Sequence, residues 1–594
     1  MSSSPTSSEK KSPSQGPWTD FEDGFYAALV EKIPSPGKTP EETAALIASL
    51  AFLGRMDEAV SLWRLRKDSL SEKFQRRARF ALVISATRIS RFKAAKVWLL
   101  EFKKENAVSD PFVRQSFAFY FYFTGDFRKS SLWAKRALDA ALLEENPYIR
   151  LLASDLLGHS LVQRGKLSVG FRWLEQARKA CQERGNQTLD EMIRISKLLY
   201  EAEAGFRPLG MIEELETARG SRKAEDAYAH ADLSLELARQ WILRGDWGRA
   251  RQLLDLESTR IYSFENRHQE MRLLLRLAEV AYHQGRAADC GHFLRSARRA
   301  LNRLADQIYE IRVLGLEIKV ETELLGAELP LEKKERLLSL STRRSDRLNR
   351  QMLSRRGWTE EAMTAPGEDP LHDLLKTALS HPEQALREMA QKGYWGLWAR
   401  TRKIPFGAKA IVVGAPEVAL VLVDQNGVQA LREGIGALVL RLVTKLMKGF
   451  VGKQGLVETV WGYEYDPLRH DSLVYGALSS LRRLLGERGD WLENSEEGWR
   501  LPPGLVWMDL SLRPQEESFV QEPDRIPLDL SFRQHKALKE LERRDVWVIK
   551  EYRSFFHVST MTAFRDLDDL VKKGYILRQG KGRATCYVRP GRNE

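Results

Sequence analysis

The sequence predicts a mainly α protein in which an α-solenoid is followed by two small α+β domains. A pattern of paired amphipathic helices recurs every forty residues through the N-terminal half of the chain. Residues 407–510 alternate short apolar strands with helices and close on a hairpin, and residues 528–594 combine three helices with a Gly-rich, basic hairpin. Because a chain of 594 residues is too long for one hydrophobic core, several domains are expected.

The repeat lies between about residues 39 and 326, where an apolar helix ends at a small residue and a second helix follows a short polar turn. Glycines mark these turns forty residues apart, at Gly125, Gly165, Gly205, Gly245 and Gly285. Gly closes a helix in the left-handed conformation, and a small residue five positions later lets the second helix pack closely. Such a unit cannot bury its own apolar face, so successive units are expected to stack.

This pattern resembles the tetratricopeptide repeat, in the longer forty-residue form of the MalT-like bacterial regulators. We assign residues 18–356 to this TPR-like solenoid. The resemblance implies a surface that senses a protein, a peptide or a small effector. The aromatic run at residues 117–123 favours core packing of an internal helix over a ligand pocket. The phosphate-binding loop of nucleotide-binding modules, Gly-x-x-x-x-Gly-Lys-Ser/Thr, is absent from the sequence.

The remaining bulk features predict a cytoplasmic protein without membrane contact. Residues 1–17 are rich in Ser, Pro and Lys, which predicts a disordered tail rather than a secretory signal. No apolar run approaches the roughly 20 residues of a membrane span. The three cysteines lie far apart, which argues against a disulfide framework or a zinc site. Catalytic motifs are also missing, so we expect no enzyme activity, no cofactor and no metal.

Basic residues crowd the end of the repeat region, from 331 to 356, where a solvated helical face is favoured over contact with nucleic acid. Residues 357–406 are predicted to be a linker with connecting helices. The chain as a whole carries 94 Lys and Arg against 81 Asp and Glu, a net charge of +13. An excess of this size is a weak indication of a polyanionic partner, so its distribution matters more.

Residues 407–510 contain apolar strands near 410–413 and 418–423, a hairpin signal at 424–427, and helices predicted at 435–448, 451–462 and 473–485. A second hairpin signal, at 491–501, follows them. This order resembles the effector domain of OmpR/PhoB-type regulators, a winged helix. By that resemblance the third helix enters the DNA major groove, and its outward residues are Ser472, Gly476, Ser479, Ser480 and Arg483.

The charges of this first domain do not follow the resemblance. Ser479 and Ser480 stand where the family commonly carries Arg, and the predicted wing carries Glu496 and Glu497. Residues 436–509 hold nine Lys or Arg against ten Asp or Glu. Because neutralising phosphates supplies much of the affinity for DNA, two interpretations stay open: contact with DNA, and docking on protein.

After a linker at 511–527, residues 528–594 predict three helices. Ser531 is a natural N-cap for the first helix, residues 549–555 form the second, and Ser559 caps the third. The third helix has the form of a recognition helix. Its inward residues are predicted to be Ala563, Phe564, Leu567 and Leu570. Its candidate DNA-binding residues are Ser559, Thr560, Met561, Thr562 and Arg565.

Two strands around a Gly-rich tip follow this helix, and the whole segment resembles the DeoR-like winged helix-turn-helix. The resemblance rests on Ser-x-x-Thr-Ala-x-Arg-Asp-Leu, Leu-Val-x-Lys-Gly and a Gly-x-Gly-Arg wing. Residues 571–593 hold seven Lys or Arg and no acid, which suits contact with phosphates. The candidate wing residues are Lys572, Lys573, Arg578, Lys581 and Arg583. The rival interpretations are a protein-docking module and an Arg565 that merely pairs with Asp566 or Asp569.

Together these features predict a bacterial transcription regulator whose solenoid senses an effector and whose winged helices bind double-stranded DNA. One alternative is a scaffold that uses all three parts for protein interactions. Another is a DNA-recognition component of a mobile-element or phage-defence system. A homodimer stays open, although the sequence has no sustained heptad to mediate it.

Overall fold

Helices dominate the computed structural model, as the sequence predicts. The model describes residues 16–221, 227–263, 266–304, 307–341, 346–356, 358, 368–414, 420–431, 437–510, 530–541, 544, 546–556, 558–580 and 585–589. No helix in these ranges is both long enough and apolar enough to cross a membrane. Two units divide the chain: Met1–Ala408 with Val423–Gln429, and Lys409–Leu422 with Ala430–Glu594.

The first unit is helical from its first described residues. Its helices up to residue 184 are α1 Pro17–Glu22, α2 Tyr26–Lys32, α3 Pro40–Phe52, α4 Met56–Arg66, α5 Glu72–Arg88, α6 Phe92–Lys104, α7 Pro111–Phe123, α8 Phe127–Leu143, α9 Pro147–Gln163 and α10 Leu167–Arg184. The later helices are α11 Gln187–Ala204, α12 Met211–Gly220, α13 Ala227–Arg244, α14 Trp247–Ser263, α15 Arg267–His283, α16 Ala287–Leu304, α17 Gln307–Lys319, α18 Leu331–Ser341, α19 Arg347–Arg355, α20 Pro370–Ser380, α21 Pro382–Gln391 and α22 Trp395–Thr401.

Helices of the repeat region pack in a regular order. Each of α3, α5, α7, α11, α13 and α15 packs against the helix that follows it and against the next but one. The aromatic run of α7 joins this core, since Phe117 and Phe119 are buried and its other rings are partly buried. Core packing of this run is therefore confirmed. The predicted tail lies outside the described residues as far as residue 15, and α1 begins at Pro17, the last residue assigned to it.

The repeated glycines adopt the conformation that their spacing predicts. Their φ angles are 78° at Gly125, 83° at Gly165, 79° at Gly205, 87° at Gly245 and 74° at Gly285. The residue after each glycine donates its N–H to a carbonyl five positions earlier, as in the 2.9 Å bond from Asp126 to Phe121. This bond closes the helix and turns the chain into the next one. The left-handed turns are thus confirmed.

Three of the glycine turns, at Gly205, Gly245 and Gly285, are covered by a later part of the same unit. A β-carbon built on Gly205 would lie 2.8 Å from Leu371 Cβ, and one on Gly285 would lie 3.1 Å from the Gly407 nitrogen. At Gly245 the backbone carbonyl accepts a 2.8 Å hydrogen bond from the Val428 N–H. Residues 368–408 and the 424–428 turn therefore pack directly on the repeat. Most of the segment predicted as linker and connecting helices is packed protein in this way.

A buried ion pair joins this returning segment to the repeat. Arg347, at the start of α19, and Asp369, at the N-cap of α20, are each 1% exposed and bonded to each other. Arg347 also lies 3.1 Å from Glu203 of α11. The sequence predicted that the basic residues at 331–356 form a solvated face, and for Arg347 this is wrong, because its charge is neutralised inside the unit.

A sheet lies between residues 410 and 509. The strands in this part of the chain are β1 Ala410–Val413, β2 Leu420–Val423, β3 Val428–Leu431, β4 Glu493–Ser495, β5 Gly498–Arg500 and β6 Val506–Asp509, and its helices up to residue 485 are α23 Ala437–Leu446, α24 Lys453–Leu456 and α25 Pro467–Leu485. The order in the sheet is β3-β2-β1-β6, with β1 and β6 parallel and Ala410 opposite Val506. A separate β4–β5 hairpin pairs Glu493 with Arg500. The hairpins expected at 424–427 and 491–501 are both present.

The C-terminal module consists of α26 Phe532–Glu540, α27 Ile549–Phe556, α28 Thr560–Lys572, β7 Leu577–Gln579 and β8 Cys586–Val588. Its core holds Trp547, whose indole N–H donates to the Ala537 carbonyl at 2.9 Å. The backbone of Trp547 also pairs with that of Tyr587 in β8 through two 2.8 Å bonds. Tyr463 packs against this core and against the core of the preceding domain. Both cores thus belong to one continuous part of the unit.

We predict that Asp369→Ala destabilises the first unit by about 3–5 kcal/mol, because it leaves Arg347 buried without its main partner. It also removes the cap of α20, where Asp369 accepts a 3.1 Å bond from the His372 N–H. The matched control is Glu383→Ala, whose 72% exposed carboxylate pairs with Arg402 at 3.1 Å and whose loss should cost less than about 1 kcal/mol. Urea unfolding of both variants measures the difference, and equal losses would contradict the buried pair.

We also predict unequal effects of alanine at two turn glycines with similar φ, Gly54 at 83° and Gly245 at 87°. Both substitutions strain the backbone by about 1–2 kcal/mol. Gly54 has no atom near an added β-carbon, whereas at Gly245 that carbon would meet Val428 at 2.9 Å and the Gly396 nitrogen at 3.0 Å. Gly245→Ala should therefore lower the free energy of unfolding by about 1–3 kcal/mol more than Gly54→Ala. Chemical denaturation would refute this packing if the two variants were alike.

Candidate nucleic-acid interface

The N-terminal end of α28 is built as the sequence predicts. Ser559 caps the helix by accepting a 3.1 Å hydrogen bond from the Thr562 N–H, and its hydroxyl lies 2.9 Å from the Thr562 hydroxyl. The first four N–H groups of a helix lack partners within the helix, and together with the helix dipole they favour a nearby anion. The capped end of α28 therefore has the chemistry to meet a phosphate.

The faces of α28 separate as expected, with one correction. Ala563, Leu567 and Leu570 are fully buried, while Met561 is 68% exposed. The other candidate residues are also accessible: Ser559, Thr560 and Arg565 are exposed, and Thr562 is half-buried. Phe564 was predicted to point inward, and this is wrong, since it is 37% exposed. It lies four residues after Thr560 and so shares the outer face of the helix.

A buried carboxylate holds α28 against the two helices before it. Asp566 accepts from Arg533 of α26 at 2.9 Å and from the Tyr552 hydroxyl of α27 at 3.2 Å. Gln534 adds a 3.1 Å bond to the Asp566 carbonyl. Burial and then the charge of Asp566 raise the pKa of Tyr552, so its phenol stays protonated and keeps donating. This network fixes the orientation of the helix.

The same network decides what Arg565 does. The carboxylates proposed as its partners are engaged elsewhere: Asp566 binds Arg533, and Asp569 binds Lys573 at 2.5 Å. Among the described residues no ion pair involves Arg565, whose side chain is exposed. The interpretation of Arg565 as an internal ion-pair partner is therefore wrong. Its guanidinium is available to a ligand.

The candidate wing residues fall into three groups. Arg578 is exposed on β7, opposite Tyr587 of β8. Lys581 and Arg583 lie outside the described residues. Lys572 is the last residue of α28 and pairs with Asp568 at 2.9 Å, and Lys573 follows it in the turn. These two lysines thus belong to the helix end, where neighbouring aspartates offset their charge.

Sequence reasoning missed two cations on α27. Arg553 is exposed, and its Nη1 lies 3.5 Å from the Thr560 hydroxyl at the start of α28. Lys550, one turn earlier on the same helix, is also exposed. Their three-residue spacing on an amphipathic helix was a signal that they share a face, but the packing of α27 beside the start of α28 is a tertiary fact. They extend the cationic surface around Thr560.

In the preceding domain α25 presents the five predicted residues, Ser472, Gly476, Ser479, Ser480 and Arg483, all of which are exposed. The helix begins at Pro467, six residues before the predicted start. Asp466 caps it by accepting a 3.0 Å bond from the Leu468 N–H, and Pro467 suits the first helical position. The extra turn adds Leu468, which is 97% exposed.

Cations near the start of α25 are neutralised. Lys453 pairs with Asp471 at 2.5 Å, Arg469 with Asp466 at 3.4 Å, and Arg500 with Glu493 at 2.6 Å. The hydrogen bond from Lys453 lowers the pKa of Asp471, which keeps that pair charged. At the tip of the β4–β5 hairpin Glu496 and Glu497 are exposed. This surface is thus unlike that of α28.

Comparisons with known proteins add nothing to this geometry: no protein-family model matches the chain, and no curated protein matches it. Within the described ranges, no three His, Cys, Asp or Glu side chains form a group that could hold a metal ion.

We predict that Asp566→Asn loosens α28 by about 1.5–3 kcal/mol, since hydrogen bonds to a buried charge contribute that much. Asp568→Asn, two residues further along the same helix, is the matched control. Its partner Lys572 is 74% exposed, so this pair contributes less than about 1 kcal/mol. Hydrogen–deuterium exchange of residues 560–572 should rise clearly in the first variant and little in the second. The same exchange in both would show that Asp566 does not anchor the helix.

Proposed function

We propose that the chain is a DNA-binding transcription regulator of the bacterial cytoplasm. In this proposal residues 18–356 form a TPR-like solenoid that senses a protein, a peptide or a small effector. Residues 407–510 form an OmpR/PhoB-like winged helix, and residues 528–594 form a DeoR-like winged helix-turn-helix that reads duplex DNA.

The observation that carries the proposal is the outer face of α28. Its first two turns hold hydroxyl and thioether side chains and one cation, Arg565, that no carboxylate of the described chain neutralises. The acids of the helix, Asp566, Asp568 and Asp569, are paired with other residues. A helix with a neutral, donor-rich start and one free guanidinium suits insertion into the major groove.

The residues around α28 support contact with the DNA backbone. Arg553 and Lys550 of α27 and Arg578 of β7 are exposed on the elements that precede and follow the helix. Each cation that neutralises a phosphate adds affinity without sequence preference, and this contribution falls as salt rises. The proposal therefore assigns specificity to Thr560, Thr562 and Arg565 and assigns backbone contact to the cations on α27 and the wing.

The role proposed for the solenoid takes account of the returning segment. Since residues 368–408 cover the glycine turns at Gly205, Gly245 and Gly285, that part of the repeat surface is occupied by the chain itself. An effector that binds the repeat has the remaining surface available, or it displaces this segment. Either way the repeat and the segment that leads toward the DNA-binding part respond together.

We predict that Arg565→Ala weakens binding of the full chain to a duplex selected from random DNA by about 5–150-fold, because a guanidinium reading a guanine contributes about 1–3 kcal/mol. Arg578→Ala should reduce the slope of log affinity against log salt by about one. Arg64→Ala, which removes an exposed arginine of the helical repeat, is the control of equal charge.

Fluorescence anisotropy at several salt concentrations measures all three variants, with circular dichroism as a check of folding. The proposal fails if the wild-type chain does not bind duplex DNA at low salt. It also fails if Arg565→Ala binds like the Arg64→Ala control, since the module is then a protein-docking domain.

A further inference from the structure

The outward face of α25 is a surface that the proposed DNA contact does not use. Leu468, Leu473 and Tyr475 are 97%, 36% and 51% exposed along its first half. The exposed residues Ser472, Ser479 and Ser480 of the helix have small side chains, and a β-carbon added at Gly476 would meet no atom within 4 Å. An exposed apolar helix face with open space at its centre is typical of a surface that is covered by protein.

Charge divides this face into two halves. Arg482 and Arg483, near the C-terminal end of α25, are exposed and form no ion pair within the described residues. Near the other end the cations are already paired, and Glu464, Glu496 and Glu497 are exposed acids without an ion-pair partner in the described chain. The helix face is thus acidic around its start and basic around its end.

We infer that this face pairs with the same face of a second copy of the chain, the two α25 helices running antiparallel. α25 spans residues 467–485, so Gly476 is its midpoint, and a twofold axis there sets Ser472 opposite Ser480. The basic end of each helix then meets the acidic surroundings of the other. Phosphates would meet the acids instead, so the same surface is poorly suited to DNA.

The side on which the hairpin lies agrees with this pairing. Tyr475 contacts Trp499 of β5 with ring centroids 5.8 Å apart, so the β4–β5 hairpin flanks the helix on the Tyr475 side. Arg482 lies seven residues after Tyr475 and therefore on that same side. When a twofold axis lies in the interface between two antiparallel helices and crosses them at right angles, both hairpins lie on the same side of the helix pair. Glu496 and Glu497 of one copy then lie toward Arg482 of the other.

Pairing through α25 gives each particle two C-terminal modules. If these read DNA as proposed above, the two would engage two half-sites, and linkage raises the affinity beyond that of one module. That consequence rests on the proposed function, whereas the pairing itself does not. Its test therefore uses the full chain without DNA.

The first experiment measures the mass of the full chain by sedimentation at tens of micromolar. We expect twice the chain's 68.1 kDa for the wild type and a single-chain mass for Gly476→Trp, because the indole would occupy the contact and its β-carbon would meet no atom of the domain within 4 Å. Gly220→Trp is the matched control, because Gly220 is also a helical glycine whose added β-carbon would meet no atom within 4 Å, and this variant should keep the doubled mass.

The second experiment reverses the charges. The double variant Arg482→Glu, Arg483→Glu should associate at least about tenfold more weakly, because like charges across an interface are strongly unfavourable. Adding Glu496→Arg and Glu497→Arg to the same chain should restore the doubled mass. This rescue separates a broken contact from a damaged domain.

Two results would overturn the pairing. One is a single-chain mass for the wild type at low salt, and the other is a doubled mass for Gly476→Trp. If that variant with the doubled mass also lost affinity for the selected duplex, α25 would be shown to contact DNA instead. Loss of DNA binding by the wild type would refute the proposed function and leave the mass measurement intact.

Discussion

The helical unit depends on one backbone constraint, the left-handed turn that recurs at glycines forty residues apart. At each of these turns the absence of a β-carbon does two things. It lets the first helix close without strain, and at Gly205, Gly245 and Gly285 it lets another part of the chain pack against the turn itself. The repeat is thus a stack of helix pairs that also provides the surface on which residues 368–408 pack. Larger side chains at Gly205, Gly245 and Gly285 would push those residues away from the repeat.

Polar contacts then fix the position of residues 368–408 on the repeat. Arg347 and Asp369 are buried together beside Glu203, and the aspartate also caps α20. Removing an ion pair from water is costly unless its geometry is good, but breaking one partner away costs more. Such a pair tolerates one arrangement and few others. It therefore specifies the position of the segment more than it adds to stability.

The two C-terminal domains differ in the charges that their surfaces present. In the last module Asp566 accepts hydrogen bonds from Arg533 and Tyr552, so its negative charge is neutralised within the module. Arg565 stays exposed on the surface. In the preceding domain the cations near the start of α25 are paired instead, with Asp466, Asp471 and Glu493, and the hairpin tip is acidic. The charges that remain unpaired differ between the two domains, and this difference is the reason that we propose a DNA contact for the last module and a protein contact for the preceding domain.

The sequence by itself determined the mainly α class, the glycine turns, the N-caps at Ser531 and Ser559, and the exposed residues of α25 and α28. These features depend on local rules: backbone freedom, capping and helical period act over a few residues. Only the tertiary structure decided that Phe564 lies outside, that Arg347 is buried and that Arg565 has no carboxylate partner among the described residues. It also placed Arg553 beside Thr560 and residues 368–408 on the repeat. Each of these features depends on contacts between residues that are far apart in the sequence, and a local sequence pattern does not specify such contacts.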